Sequence, residues 1–157
     1  MIHPDDMFQA FEPHRGDSVV IVTGTAGRRW RDISNNEKRA LNVHGAMGQT
    51  SSAAMGFALA QPDEKVVFFD SEGALLMNLG ILATTAGMKP KNFFHFLMDN
   101  ECYATTGGQP VPNSQDINYA GMAREAGYAA TYEFDNLEDF STSVGKILSE
   151  TGPGFIA

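Results

Sequence analysis

Two short segments of this chain carry the residue types that hold a charged ligand. Asp70-Ser71-Glu72-Gly73 follows the apolar run Val66-Val67-Phe68-Phe69, and Asp99-Asn100-Glu101-Cys102 follows Phe93-Phe94-His95-Phe96-Leu97-Met98. Each sets oxygen donors just beyond what reads as a buried strand. A carboxylate from Glu72 and an amide carbonyl from Asn100, 28 positions apart, make an oxygen-only pair if those strands end side by side. Mg²⁺ and Ca²⁺ select such oxygen sets, and Mg²⁺ usually shares itself with a phosphate. Gly73, at the start of a helical stretch, adds backbone N–H groups suited to that phosphate. Taken alone, the pair reads at least as well as turn chemistry, because acidic and amide residues end strands for local reasons.

A third segment shifts the balance toward a ligand. Gly45-Ala46-Met47-Gly48 precedes a helical stretch of small residues, and its glycines let backbone approach a bound molecule closely. Met47 would project a flexible apolar side chain at that molecule, although filling the core is the commoner use of methionine. His44, directly before Gly45, either contacts substrate or shuttles a proton, or it simply ends a strand at 40–43. Arg28, Arg29 and Arg31, around Trp30, form the densest basic cluster. Their forked guanidinium groups suit the oxyanion of a substrate tail, and they suit a solvated face or a subunit contact equally. His95, inside an apolar run, reads as a core histidine. Gln109 follows Gly107-Gly108 in a loop that either closes over substrate or carries no chemistry.

These residues must be positioned by strands and crossover helices. Val19-Val20-Ile21-Val22 and the two runs already quoted are apolar throughout rather than alternating, as in parallel strands covered on both faces. Helices are predicted over 49–60, ended by Pro62, and over 74–86, ended by Gly87 and Pro90. Two more, over 116–126 and 137–149, flank a weaker strand at 128–132. The order implies an α/β fold: a doubly wound, mostly parallel sheet with helices on both faces. Ligands bind such sheets beyond the carboxyl ends of the strands. The polar stretch 101–118 shows no periodicity and reads as a long functional or disordered loop. The last residues, Gly152-Pro153-Gly154-Phe155-Ile156-Ala157, read as entry to a final strand. The expectation is one domain over 1–157, stopping shortly before its natural C-terminus.

Composition narrows the function classes. With 11 basic against 19 acidic side chains, a net charge of −8 and no Lys/Arg run, a phosphate-backbone footprint is not expected, so no nucleic acid partner is. The longest apolar stretch, 53–60, is too short for a membrane span. The acidic N-terminus does not read as a signal peptide. One cysteine, Cys102, allows no internal disulfide and suits a reducing compartment. The expected location is cytoplasmic.

Gly45-Ala46-Met47-Gly48, Asp70-Ser71-Glu72-Gly73-Ala74-Leu75-Leu76-Met77-Asn78-Leu79-Gly80, Leu97-Met98-Asp99-Asn100-Glu101 and Thr106-Gly107-Gly108-Gln109 occur in this order. Together they resemble the pyrophosphate-binding domain of thiamine diphosphate enzymes, of the kind in sulfopyruvate and phosphonopyruvate decarboxylases. The resemblance implies thiamine diphosphate and Mg as cofactors. It implies Glu72 and Asn100 as metal ligands, with the backbone carbonyl of Cys102 as a third. Gly45 would face the aminopyrimidine, with Ala46 beside it and Met47 wedged beneath the cofactor. Gly73 and Ala74 would present N–H groups to the diphosphate. His44 is the candidate for contact with substrate at the reacting end.

Two departures from the family pattern qualify this. Ser71-Glu72-Gly73 stands where the family has Gly-Asp-Gly, so the carboxylate arm is one methylene longer and the turn is bulkier. The chain also has no pyrimidine-binding domain, which in the family carries the activating glutamate. The resemblance therefore implies a β-type subunit of a two-component 2-oxo acid decarboxylase, active only with a pyrimidine-domain partner. The alternatives are an assembly subunit with a degenerate cofactor site, a carboligase or lyase of the same superfamily, and, more remotely, a flavodoxin-like phosphate-binding module.

Overall fold

The computed structural model describes residues 2–157. Its strands are β1 (Val19–Thr23), β2 (Ala40–Val43), β3 (Val66–Ser71), β4 (Phe93–Met98), β5 (Cys102–Tyr103), β6 (Gln109–Pro110), β7 (Ala130–Tyr132) and β8 (Gly154–Ile156). Six of them form one sheet in the order β2-β1-β3-β4-β8-β7, and every pairing in it is parallel. The helices are α1 (Pro4–Phe11), α2 (Gly24–Ile33), α3 (Thr50–Ala60), α4 (Glu72–Leu76), α5 (Ile81–Met88), α6 (Tyr119–Ala126) and α7 (Leu137–Ile147). The doubly wound sheet expected from the sequence is the one observed.

The unbroken apolar runs follow from two cores, one on each sheet face. Val19, Ile21, Val66, Phe68 and Phe93 point toward α3, α5 and α6. Their neighbours Val20, Val22, Val67, Phe69, Phe94 and Phe96 point toward α1, α2 and α7. Period-two strand geometry sends successive side chains to opposite faces, so a strand covered on both sides needs an apolar residue at every position. On the second face, Phe8 and Phe11 of α1 meet Phe69 edge-on, with ring centroids 4.9 and 5.0 Å away. Trp30 of α2 closes the same aromatic group.

Several predicted boundaries move. The single helix expected over 74–86 is two helices, α4 and α5, joined by residues 77–80. Asn78 and Gly80 lie in that joint, and both residue types favour turns over helix interiors. There the Asn78 amide donates to Ser52 Oγ at 3.2 Å, tying the joint to α3. The loop expected over 101–118 contains a small antiparallel hairpin, β5 with β6. The helix expected from 116 starts at Tyr119 instead, because the Asn118 side chain accepts the Gly121 N–H and caps it. Helix α1 was not anticipated, although Met7, Phe8 and Phe11 have helical spacing and Pro4 occupies its first turn. No helix among the described residues is long and apolar enough to cross a membrane.

Candidate functional site

From β1 the chain moves to one side to form β2, and then returns past β1 to form β3 on its other side. The connections leaving β1 and β3 therefore diverge, which opens a crevice at the carboxyl edge of the sheet. A cleft of about 380 Å³ lies there. Thr23 and Gly24 line it where β1 ends, His44, Gly45 and Met47 after β2, Gly73 and Ala74 after β3, and Asn100 and Cys102 after β4. Ala46 is outside that lining. Its carbonyl instead accepts the Gln49 and Thr50 N–H groups at the start of α3.

Glycines shape this wall for two different reasons. Gly45 has φ +70° with open space around it, so backbone conformation is what requires glycine. Gly48 has φ +79°, and a Cβ there would lie 2.9 Å from Met77 Cβ. At Gly73 the constraint is space alone: a Cβ would lie 2.7 Å from the Tyr103 ring.

Strands β3 and β4 pair in register through Ser71 and Met98, so Glu72 and Asn100 leave the sheet from adjacent ends. Cys102 N–H donates to Glu72 Oε1 and to Asn100 Oδ1, each at 3.1 Å. Both oxygens thus converge on one donor. Glu72 is completely buried, and its Oε2 has no hydrogen-bond partner. Burial pushes its pKa up and the nearby Asp99 charge adds to this, while backbone N–H groups of Glu72, Asn100 and Cys102 pull it down. A buried carboxylate oxygen without a partner is costly unless a cation or a proton meets it. No three His, Cys, Asp or Glu side chains gather as a metal site among the described residues. A cation here would rest on carboxylate, amide and backbone oxygens, a donor set that suits the hard cations Mg²⁺ and Ca²⁺. Glu72, whose arm is one methylene longer than the family's aspartate, is the first residue of α4 and is withdrawn from solvent.

The turn that presents Asn100 is conformationally demanding. Glu101 has φ +62°, an orientation uncommon outside glycine, asparagine and aspartate. Asp99 Oδ1 accepts the Glu101 N–H at 3.0 Å, and Gln115 Nε2 donates to Glu101 Oε2 at 2.7 Å. Burial also raises the Asp99 pKa. Beneath the turns, buried His95 Nε2 lies 3.1 Å from Asp70 Oδ2. The other Asp70 oxygen accepts the Ser71 N–H at 2.9 Å, so a core pair spanning β3 and β4 orders the residue before Glu72.

The remaining sequence candidates separate. His44 is exposed at the cleft mouth, and His95 is a core histidine as expected. Arg29 Nη1 contacts both Asp5 carboxylate oxygens at 2.8 Å, so its fork is engaged within the chain. Arg28 and Arg31 are exposed on α2. Gln109 lies in the β5–β6 hairpin, where its Oε1 accepts from Thr106 Oγ1 at 3.3 Å. Sequence reasoning missed Tyr103, which packs on Gly73, and Tyr119, which lines the neighbouring crevice with Asp99 and Asn100. An aromatic residue inside a polar stretch was the available signal for Tyr103.

Comparison with known proteins matches residues 23–157 to the model of the thiamine pyrophosphate enzyme C-terminal TPP binding domain. The chain is 51% identical over 122 residues to sulfopyruvate decarboxylase subunit beta of Methanothermobacter thermautotrophicus, covering 77% of this chain and 64% of that one. It is 34% identical over 139 residues to phosphonopyruvate decarboxylase of Streptomyces hygroscopicus, covering 88% of this chain and 34% of that one. The chain thus spans about a third of the Streptomyces protein. Benzoylformate decarboxylase of Polynucleobacter necessarius shares the fold at a TM-score of 0.80 and 18% identity, over 99% of this chain and 32% of that one.

Proposed function

The chain belongs to the thiamine pyrophosphate enzyme C-terminal TPP binding domain family, and from that membership we propose that it is the cofactor-holding subunit of a 2-oxo acid decarboxylase. One observation carries the reading: Glu72 and Asn100 converge at adjacent strand ends, with a buried carboxylate oxygen left over. In this role Glu72, Asn100 and the Cys102 carbonyl hold Mg²⁺, and through it the diphosphate. Gly73 and Ala74 add N–H groups at the start of α4. Gly45 and Met47 orient the organic part of the cofactor, and His44 meets substrate at the open mouth. The cofactor, when bound, supplies the electron sink for loss of CO₂. This chain's residues supply position.

The cleft is open, and no second domain covers it within these residues. A pyrimidine-domain partner completes the site in this reading, in keeping with the relative named as a subunit beta. The substrate class is a small 2-oxo acid with an anionic tail, as the two relatives' names suggest. The test is CO₂ release from sulfopyruvate, phosphonopyruvate and pyruvate by the co-purified assembly, with and without thiamine diphosphate and Mg²⁺. Turnover that needs both cofactors and both subunits is the expected result. A correctly assembled complex that binds no thiamine diphosphate by calorimetry would overturn the proposal in favour of an assembly role.

A further inference from the structure

Tyr119 opens α6 and is 3% exposed. Its ring packs in the core on the α3–α5–α6 face, and its hydroxyl is buried without a hydrogen-bond partner. The same residue lines the crevice beside Asp99, Asn100 and Glu101. Glu72 Oε2, whose charge acts on the Tyr119 hydroxyl, is likewise buried without a partner. One group is a donor and the other an acceptor. Burial foremost, and then the charges of Asp99 and Glu72, raise the Tyr119 pKa, so the hydroxyl keeps its proton and stays a donor. A phenylalanine would fill the same core volume, so packing alone gives the hydroxyl no purpose. Buried polar groups that do not touch are commonly joined by one ordered water.

Resting on the metal-site reading above, we infer that Tyr119 is a positioning residue for that site: its hydroxyl donates through an ordered water to the Glu72 and Asp99 carboxylates and holds Glu72 in ligating geometry. Groups that orient metal ligands in this way typically change metal affinity by about 10–100-fold when removed.

The experiment titrates the assembled protein with thiamine diphosphate at fixed Mn²⁺, alongside thermal melts in chelator. Tyr119→Phe is expected to weaken metal-dependent binding by roughly tenfold while its melting temperature in chelator holds or rises. Tyr132→Phe on β7, whose hydroxyl donates to Glu150 in the bend after α7, is expected to bind as the parent does. A Tyr119→Phe protein with parental affinity overturns the inference and leaves the metal site standing. One whose melting temperature in chelator falls marks a structural hydroxyl and overturns it too. A parent protein that binds neither Mn²⁺ nor cofactor removes the metal site itself, and this inference with it.

Discussion

At the scale of single residues, the site turns on one carboxyl group whose burial favours its protonated form. Burial lifts the Glu72 pKa above the ordinary glutamate range, so the folded chain binds that proton more tightly than the unfolded chain. The stability it contributes is complete below the ordinary glutamate pKa and is lost as pH rises through the raised value. Asp99, also raised by burial, acts in the same sense. In chelator, the protein is therefore expected to melt lower at about pH 7 than at about pH 5, and Glu72→Gln to flatten part of that slope. In the proposed metal role of Glu72, Mg²⁺ would compete with the proton, so metal binding is expected to strengthen over the same interval and Glu72→Ala to abolish it. A Glu72→Ala protein that binds Mg²⁺ and thiamine diphosphate normally would remove Glu72 from the ligand set. Glu101 makes a second residue-level case. Its left-handed backbone costs about 1–2 kcal/mol, partly offset in a glycine variant by the roughly 0.5–1 kcal/mol of extra chain entropy. Loss of the Gln115 hydrogen bond removes about 0.5–1.5 kcal/mol more, so Glu101→Gly is expected to lie within about 1 kcal/mol of the parent, and Glu101→Val to be destabilised by about 1–2 kcal/mol, read from denaturant midpoints. No residue type at 101 signals this turn in the sequence, which is why it was not foreseen.

At the scale of elements, β3 and β4 act as one unit. Their ends present Glu72 and Asn100, and the buried Asp70–His95 pair ties the two strands just below. Removing Asp70 leaves the buried His95 ring nitrogen without its partner, at a cost of about 1–3 kcal/mol. Asp70→Ala is expected to lose roughly 2 kcal/mol in unfolding experiments, and a loss below about 0.5 kcal/mol would show that the pair does not hold the strands. The joint between α4 and α5 is the other element-level feature. It sets Met77 against Gly48 and Asn78 against Ser52, fixing the start of α3 relative to the strand ends. Gly48→Ala combines a positive φ with that contact, so it should cost about 2 kcal/mol. Periodicity predicted one helix here because the apolar pattern runs through the joint. Only the competing preferences of Asn78 and Gly80, together with the contact to Ser52, divide it.

At the scale of the whole molecule, cofactor and protein stability are linked. Ligand at about a hundred times its Kd adds about 2.7 kcal/mol to a protein that binds it only when folded. For a domain of this size that corresponds to a rise of roughly 5–10 °C in melting temperature. Thiamine diphosphate and Mg²⁺ together should produce that shift in the assembled protein, and chelator should reverse it. A shift of equal size without metal would mean that the diphosphate is held by the chain alone. The net charge of −8 makes the rest of the surface an unpromising anion site, so this response should be specific to the cleft.

The chain's residue order determined the doubly wound sheet, because strands buried on both faces must be apolar at every position and helices between them must follow a different period. It also determined which loops carry oxygen donors, because those residues stand directly after the apolar runs. Tertiary structure alone decided that Glu72 and Asn100 meet on the Cys102 N–H, that one oxygen of Glu72 is left without a partner, and that Tyr103 and Tyr119 come near them. Those relations arise from strand adjacency and from how far each turn bends. They join positions dozens of residues apart, and no local pattern in the sequence encodes that distance.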